Sequence, residues 1–282
     1  MNTTPQDRPL FFKPGAFQWD SLGYFYRTDF GRSANQLAPS SNIWIQLDSL
    51  IELATQGSFD RVPEAFALLE YNTQSWLFSS ACAVFIGDAC PTAELRSYVD
   101  QRMLGLPELS VVGAVELART LASTTALWSV PYLLALSEAF QDETEGDVIP
   151  ILLSELLEPT YSWLADGPRG QPNFRQRAMN TYEEKASLFG TTDVTLFLGE
   201  ILGTQRIAKE LLRVAELIPV PSVRLQVLRH RFEASTGVNC SGFFTNGQPM
   251  PDRIEQIVKR FLSSATKVRE DGRRHFFGHF VR

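Results

Sequence analysis

The chain has 282 residues, 44% of them hydrophobic and 21% charged, with a formal net charge of −6 at pH 7. That is a globular balance, with room for one large domain or two modest ones, and it excludes a largely disordered chain. No apolar run reaches the roughly 18 residues that a membrane helix needs, so a soluble cytoplasmic protein without a membrane partner is expected.

The first structured stretch expected is Leu10 to Phe30, crowded with Phe11, Phe12, Phe17, Trp19, Tyr24, Phe25, Tyr26 and Phe30 and punctuated by Gly15, Gly23 and Gly31. Its irregular spacing predicts looped chain laid over a helical body, with a short strand through Tyr24 to Tyr26. An aromatic surface contacting a partner is the competing reading. A helix from about Asn42 to Thr55 follows, with Ile43, Leu47, Leu50 and Ile51 on one face.

From Phe59 to Glu158 the chain reads as apolar helices separated by short polar turns. Val62, Phe66 and Leu69 share one face behind Pro63, and Trp76 to Ile86 is apolar on nearly every side, which predicts a helix buried between neighbours. Pro91 is expected to open a helix with Leu95, Tyr98 and Val99 inward. Pro107 is expected to open another, with Leu109, Val112, Leu117 and Leu121 inward. Ser129 to Phe140 and Val148 to Leu157 complete the series, joined by the acidic turn Gln141 to Asp147. One hairpin cannot bury its own apolar face, so the expected fold class is all-α: an α-solenoid-like stack of antiparallel helical hairpins with a small irregular or short-stranded terminal region. No fixed repeat motif is present, and an irregular helical bundle obeys the same packing rules.

Asp166, Gly167, Pro168, Gly170 and Pro172 mark a loop or junction. The expected organisation is an aromatic N-terminal segment (1–41), an acidic scaffold (42–166) and a basic helical region (167–282). In the last of these, Arg175 to Leu188 and Gln205 to Leu217 read as helices, and Val194 to Leu202 as a strand or an apolar helix. Ser222 starts a helix stopped by Gly237, a residue suited to a helix C-terminus. Asn246-Gly247 is a turn signal, and Pro251-Asp252 start a last helix with Ile254, Ile257, Val258, Phe261 and Leu262 inward.

Charge divides at the same junction. Met1 to Gly167 holds 8 Lys/Arg and 21 Asp/Glu, a balance of −13; Pro168 to Arg282 holds 18 and 11, a balance of +7. The two parts can attract each other within the fold. An acidic face from Asp88, Glu94, Asp100, Glu108, Glu116, Asp142, Glu143, Glu145 and Asp147 can instead hold a basic protein. Nucleic-acid binding through Arg169, Arg175, Arg177, Arg224, Arg229 and Arg231 is the weakest of the three, because no nucleic-acid-binding motif accompanies these residues.

Sites for chemistry are few. Cys82, Cys90 and Cys240 form no metal-type pair, and Cys82 reads as a small buried hydrophobe. His275 and His279 have a metal-compatible helical spacing, but Gly272 and Gly278 argue against a helix. Cys240 with these histidines is an unconstrained nucleophile–base pairing. Phosphate loops, a nucleophile elbow and paired metal-binding carboxylates are absent. No catalytic residue, metal or cofactor is therefore expected, and an enzyme would need an unfamiliar site.

The run from Arg229 through the Thr236-Gly237-Val238-Asn239 turn to Phe243-Phe244, with the closing Phe276-Phe277-Gly278-His279, resembles the C-terminal part of a family of bacterial immunity proteins, immunity protein family forty-seven. The likeness covers roughly the last fifth of the chain. It implies a protein that binds and blocks one cognate secreted toxin of a polymorphic-toxin system, without chemistry of its own. The acidic first part favours a basic target such as a nuclease. The residues expected at the interface are Asp142, Glu143, Glu145, Asp147, Phe243 and Phe244. A helical-repeat adaptor binding other proteins or nucleic acid is the alternative.

Overall fold

The computed structural model describes residues 17–20, 23–26, 43–71, 76–157, 173–195, 201–217, 222–245, 248–264 and 274–282. Helix dominates. The α-helices are α1 (Ile43–Thr55), α2 (Glu64–Tyr71), α3 (Trp76–Ala89), α4 (Thr92–Leu104), α5 (Val111–Ser123), α6 (Ser129–Ala139), α7 (Val148–Leu157), α8 (Phe174–Phe189), α9 (Ile201–Ala215), α10 (Ser222–Thr236) and α11 (Pro251–Ser263). Three separate antiparallel pairs accompany them: β1 (Phe17–Asp20) with β2 (Gly23–Tyr26), β3 (Phe244–Thr245) with β4 (Gln248–Pro249), and β5 (His275–Phe276) with β6 (His279–Phe280). The strand expected through Tyr24 to Tyr26 lies in β2, with Trp19 opposite Tyr24. The rest of the aromatic N-terminal segment and the junction from Asp166 to Pro172 lie outside the described residues.

Periodicity explains most helix faces. On α1, Trp44, Leu47, Leu50, Ile51 and Ala54 are buried, a three-and-four spacing that forms one apolar stripe. α3 has no polar face of comparable extent. Phe78, Ala81, Cys82, Phe85, Ile86 and Ala89 are all fully buried because α1, α2 and α5 surround it, and the helix runs one turn past Ile86.

The start of α5 differs from the sequence expectation. Pro107 lies in a 3-10 turn, Leu106–Glu108, and the helix begins only after Ser110, whose hydroxyl accepts the Gly113 N–H at 3.1 Å. A serine cap satisfies a first-turn donor that a proline start leaves open. Val112, two residues before Ala114, points away from the stripe of Ala114, Leu117, Ala118 and Leu121 that faces the core, and it is 51% exposed.

The helices pack in an alternating order. α1 meets α2 and α3; α3 meets α5; α5 meets α6 and α7; α6 meets α7 and α8. Beyond them, α9 packs on α10 and α11, and α10 also touches β2 and β5. A single cluster of buried side chains runs from Trp44 on α1 to Val281 after β6. Of the segment Val194 to Leu202, expected as a strand or an apolar helix, residues 196–200 lie outside the described residues. Thr195 makes an isolated antiparallel bridge to Ala126, supported by Leu127 N–H to Val194 O (2.9 Å) and Trp128 N–H to Thr192 O (3.1 Å), and α9 starts at Ile201.

The β5–β6 hairpin turns through Phe277 and Gly278, both at positive φ (49° and 78°), the handedness that tight hairpin turns favour. Phe277 is an unusual residue there, since a bulky side chain at positive φ is strained. Its ring is held beneath the Arg229 guanidinium at 4.8 Å. Phe276 meets Phe85 of α3 at 6.2 Å and Phe59 at 6.5 Å, both edge-on, so the hairpin is keyed into the scaffold.

α3 and α5 approach closely at Gly87, where an added Cβ would lie 2.2 Å from Thr120 O and 2.6 Å from Ser123 Cβ. Gly87→Ala is therefore expected to destabilise the protein by about 1–3 kcal/mol through forced separation of the two helices. Urea unfolding followed by circular dichroism measures this, and an unchanged midpoint would show that the crossing yields freely.

Candidate functional site

The acidic turn between α6 and α7 is tied down by its backbone. Glu143 N–H donates to Phe140 O (3.2 Å), Gly146 N–H to Glu143 O (3.0 Å) and Asp147 N–H to Thr144 O (3.3 Å). Gly146 is buried, with room for no Cβ, because one would lie 2.3 Å from Phe140 O. The turn therefore has a fixed shape. Asp142, Glu143 and Glu145 project from it exposed and make no ion pair among the described residues. Asp147 is half-buried and engaged in interactions of its own, so three of the four expected residues form the free acidic group.

The wider acidic face does not form as expected. Asp88 is buried, 2% exposed, with Oδ1 at 3.1 Å from His230 Nε2. Glu116 is half-buried, and burial pushes its carboxyl up against the opposing hydrogen bond from Ser79. A run of acids at mixed helical positions cannot share one surface, because some of them fall on the packed side.

Phe243 and Phe244, expected at the interface, lie in the core. They are 0% and 1% exposed, with Phe243 N–H donating to Cys240 O (3.0 Å) and Phe243 O accepting from Met250 N–H (2.9 Å). Both rings belong to the core beneath the connection between α10 and α11, so neither offers a surface to a partner.

Most of the expected basic set is likewise committed. Arg229 and Arg231 are buried; Arg224 pairs with Glu210, and Arg175 with Glu138. Arg169 lies outside the described residues, and Arg177 is exposed but has interactions of its own. Contacts between Arg175 and Glu138, Arg96 and Asp193, and His230 and Asp88 join the acidic and basic parts of the chain. Of these, the Arg175–Glu138 pair sets a cation of the basic part against an acid of the acidic part, so a small share of the charge asymmetry is satisfied inside the molecule.

A buried polar network lies where α3, α10 and the β5–β6 hairpin meet. Both terminal nitrogens of the Arg274 guanidinium donate to carbonyls at the end of α3, those of Gly87 and Cys90. Arg229 and Glu233, one turn apart on α10, approach to 3.4 Å, and Glu233 Oε1 accepts the Cys240 N–H at 3.0 Å. Burial raises the Glu233 carboxyl, with Arg229 pulling the other way. Burial pushes the Cys90 thiol up to about 12 and the Cys240 thiol well above its ordinary value. Neither thiol is poised as a nucleophile, which requires an accessible thiolate. His275 and His279 lie on a hairpin, not on a helix face, and no group of metal-type side chains assembles among the described residues.

A small cleft of about 120 Å³ lies beside this network, lined by Trp128, Thr195, Arg274 and Phe280 among others. Thr195 Oγ1 is buried there without a hydrogen-bond partner, and the nearby Thr125 holds a strained positive φ of 51°. The volume is well below the roughly 300 Å³ at which small-molecule sites begin.

Leu188 (70% exposed) and Trp76 (64%) lie at the surface, Trp76 at the start of the stretch expected to be buried between neighbours, and sequence reasoning also missed Leu104 (86%) and Val112 (51%) there. A signal for the last two exists. Leu104 falls off the stripe set by Leu95 and Val99, and Val112 falls off the one set by Ala114, Leu117, Ala118 and Leu121. The chain matches no protein-family model, no curated protein and no solved structure.

Burial, reinforced by Arg229, Arg231 and Arg274, lowers His230 from 6.5 to about 3 despite the nearby Asp88 carboxylate. A histidine kept neutral in the fold contributes stability fully present above its unfolded value, lost as pH falls from about 6.5 toward 3. The imidazole resonances of His230 are accordingly expected not to titrate between pH 8 and 5 in the native protein. A midpoint inside that range would mean that Asp88 outweighs burial and the three arginines.

Proposed function

We propose that this chain is a binding protein that neutralises a cognate bacterial toxin by covering one of its surfaces, with no chemistry of its own. One observation carries the reading: Asp142, Glu143 and Glu145 stand exposed on a rigid turn and, among the described residues, unpaired, while many other charges are paired internally or buried. A fixed, unneutralised acidic group is suited to steering and holding a cationic protein surface. The immunity assignment itself rests on the resemblance of the C-terminal residues, and it makes the partner a secreted toxin domain, a basic nuclease being favoured, met in the cytoplasm.

The scaffold is of a kind that supports such a surface. Contacts of α1 with α3, α3 with α5 and α5 with α7, with α2 and α6 alongside, follow the order of stacked antiparallel hairpins, and we read the first part as a short α-solenoid. Such a stack presents turns along its edges on a rigid core. The second reading, a helical-repeat adaptor bridging other proteins, draws on the same acidic turn. Nucleic acid suits it poorly, because Arg175, Arg224, Arg229 and Arg231 are committed within the molecule.

Two measurements test the proposal. Co-expression with the C-terminal domain of the protein encoded directly upstream is expected to restore growth and yield a co-purifying complex; a harmless or unbound domain rejects the immunity assignment. Replacing Asp142, Glu143 and Glu145 together by Lys is expected to slow toxin association by about tenfold or more at low salt, an effect shrinking as salt rises. Unchanged association kinetics would remove the acidic turn from the interface.

A further inference from the structure

The acidic turn has an apolar neighbour. The connections from α5 to α6 and from α6 to α7 are short and the helices touch in sequence, so α6 runs antiparallel to both and α5 is parallel to α7. Residues Glu145–Asp147 immediately precede α7 and touch α5. Parallel direction means that they meet α5 at its N-terminal end, where Val112 lies in the first turn and Leu104 closes α4 just before it. One edge of the stack therefore carries Leu104, 86% exposed, and Val112, 51% exposed, beside Asp142, Glu143 and Glu145. Glu108, also exposed, lies between the two apolar residues in sequence.

The edge is strongly one-signed. Between Met103 and Pro168 Arg119 is the single Lys or Arg, against ten Asp and Glu. Among the described residues two cations stand near it: Arg102, half-exposed, whose guanidinium lies toward Gly113, and Arg175, exposed, which is paired with Glu138 at the end of α6 and leaves Asp142, Glu143 and Glu145 unneutralised. Apolar side chains with an acidic surround have the arrangement of a protein-binding patch, an apolar centre within a charged rim. Phosphate-bearing ligands are disfavoured there, since the carboxylates repel them.

We infer that this edge, centred on Leu104 and Val112 and rimmed by Glu108, Asp142, Glu143 and Glu145, docks a cationic amphipathic segment of a protein partner. The inference rests on the reading of the acidic turn as a binding surface and deepens it. The carboxylates draw the segment in and orient it, and the apolar residues hold it by burial, so the rim acts on association and the centre on dissociation. A partner with positive charge alone leaves Leu104 and Val112 in water and is held weakly.

The test uses the full chain and two synthetic probes of equal charge: a helical peptide with Leu at the i, i+3, i+4 and i+7 positions and Lys elsewhere, and an oligolysine. Fluorescence anisotropy at low salt is expected to show the amphipathic peptide binding at least tenfold more tightly, with methyl resonances of Leu104 and Val112 shifting on its addition. Leu104→Ser combined with Val112→Thr is expected to abolish that preference and leave oligolysine binding unchanged. Asp142→Asn, Glu143→Gln and Glu145→Gln together are expected to weaken both probes. Equal affinity of the native chain for both probes, or an apolar double variant that binds the amphipathic peptide undiminished, overturns the inference. Both residues are solvent-exposed, and an unchanged urea midpoint confirms that the variants remain folded. Growth protection by the double variant equal to that of the native chain overturns the docking edge and leaves the immunity reading standing. Failure of the native chain to protect, with the peptide preference intact, rejects immunity and leaves the edge in place.

Discussion

The end of α3 is held by a buried guanidinium. A helix terminates with unsatisfied carbonyls and a partial negative charge, and inside a protein no water is present to meet them. Arg274 supplies two donors and a full positive charge at that point, through Gly87 O and Cys90 O. The desolvation of an arginine is severe, and burial lowers its guanidinium to about 10, so the site must return strong hydrogen bonds for the cation to remain. The contact fixes the β5–β6 hairpin against α3, and with it Phe276 against Phe59 and Phe85. The α3–α5 crossing at Gly87 lies on the same turn of helix, so one short stretch, residues 87 to 90, organises both the scaffold and its closing hairpin.

Charge in this protein is sorted by depth. Arg229, Glu233, His230, Asp88 and Arg274 are gathered into a buried network in which each faces partners from another element or another turn. What remains at the surface between α4 and α7 is almost wholly acidic. Exposed cations do remain elsewhere, such as Arg206 and Lys209 on α9 and Arg253 and Arg260 on α11, so the acidic character belongs to this part of the surface, where it suits the cationic partner proposed above. Nothing in the arrangement depends on a thiolate or a free imidazole: the two buried thiols near the network are pushed up, and His230 is held down.

How much of this could be read beforehand varied with the physics involved. Helix faces such as those of α1, α4 and α11 followed from spacing, because burial of an apolar stripe is a local property of the sequence. The Gly237 stop was legible for the same reason, since its φ of 66° is what a helix end requires of a glycine. The start of α5 was misjudged because Pro107 and Ser110 are competing start signals three residues apart, and only the cap bond to Gly113 decides between them. Phe243-Phe244 looked like a surface motif but is core. An aromatic pair near a turn signal has the same sequence pattern in either place. Asp88 and Arg229 read as surface charge in the sequence but are buried, because burial of a charge depends on partners far away in the chain, His230 and Phe277 here, which spacing cannot reveal. The free acids at 142–145 were legible because a polar turn between two apolar helices has nowhere to go but outward.

The reach of the Arg274 contact also bears on how the fold is acquired. Its two bonds span 187 and 184 residues, among the least local contacts a chain of this length can make. Closing such a loop is entropically expensive, and contacts of this kind form late on the folding path. Helices α1 to α7 can assemble through neighbours near in sequence, but until the hairpin arrives the last turn of α3 has open carbonyls and Phe85 has an uncovered edge. A scaffold without the hairpin thus has its most apolar helix complete except at one open end. The hairpin is the clasp that closes that end, drawn from the far terminus of the chain to cover an edge that the neighbouring helices leave open.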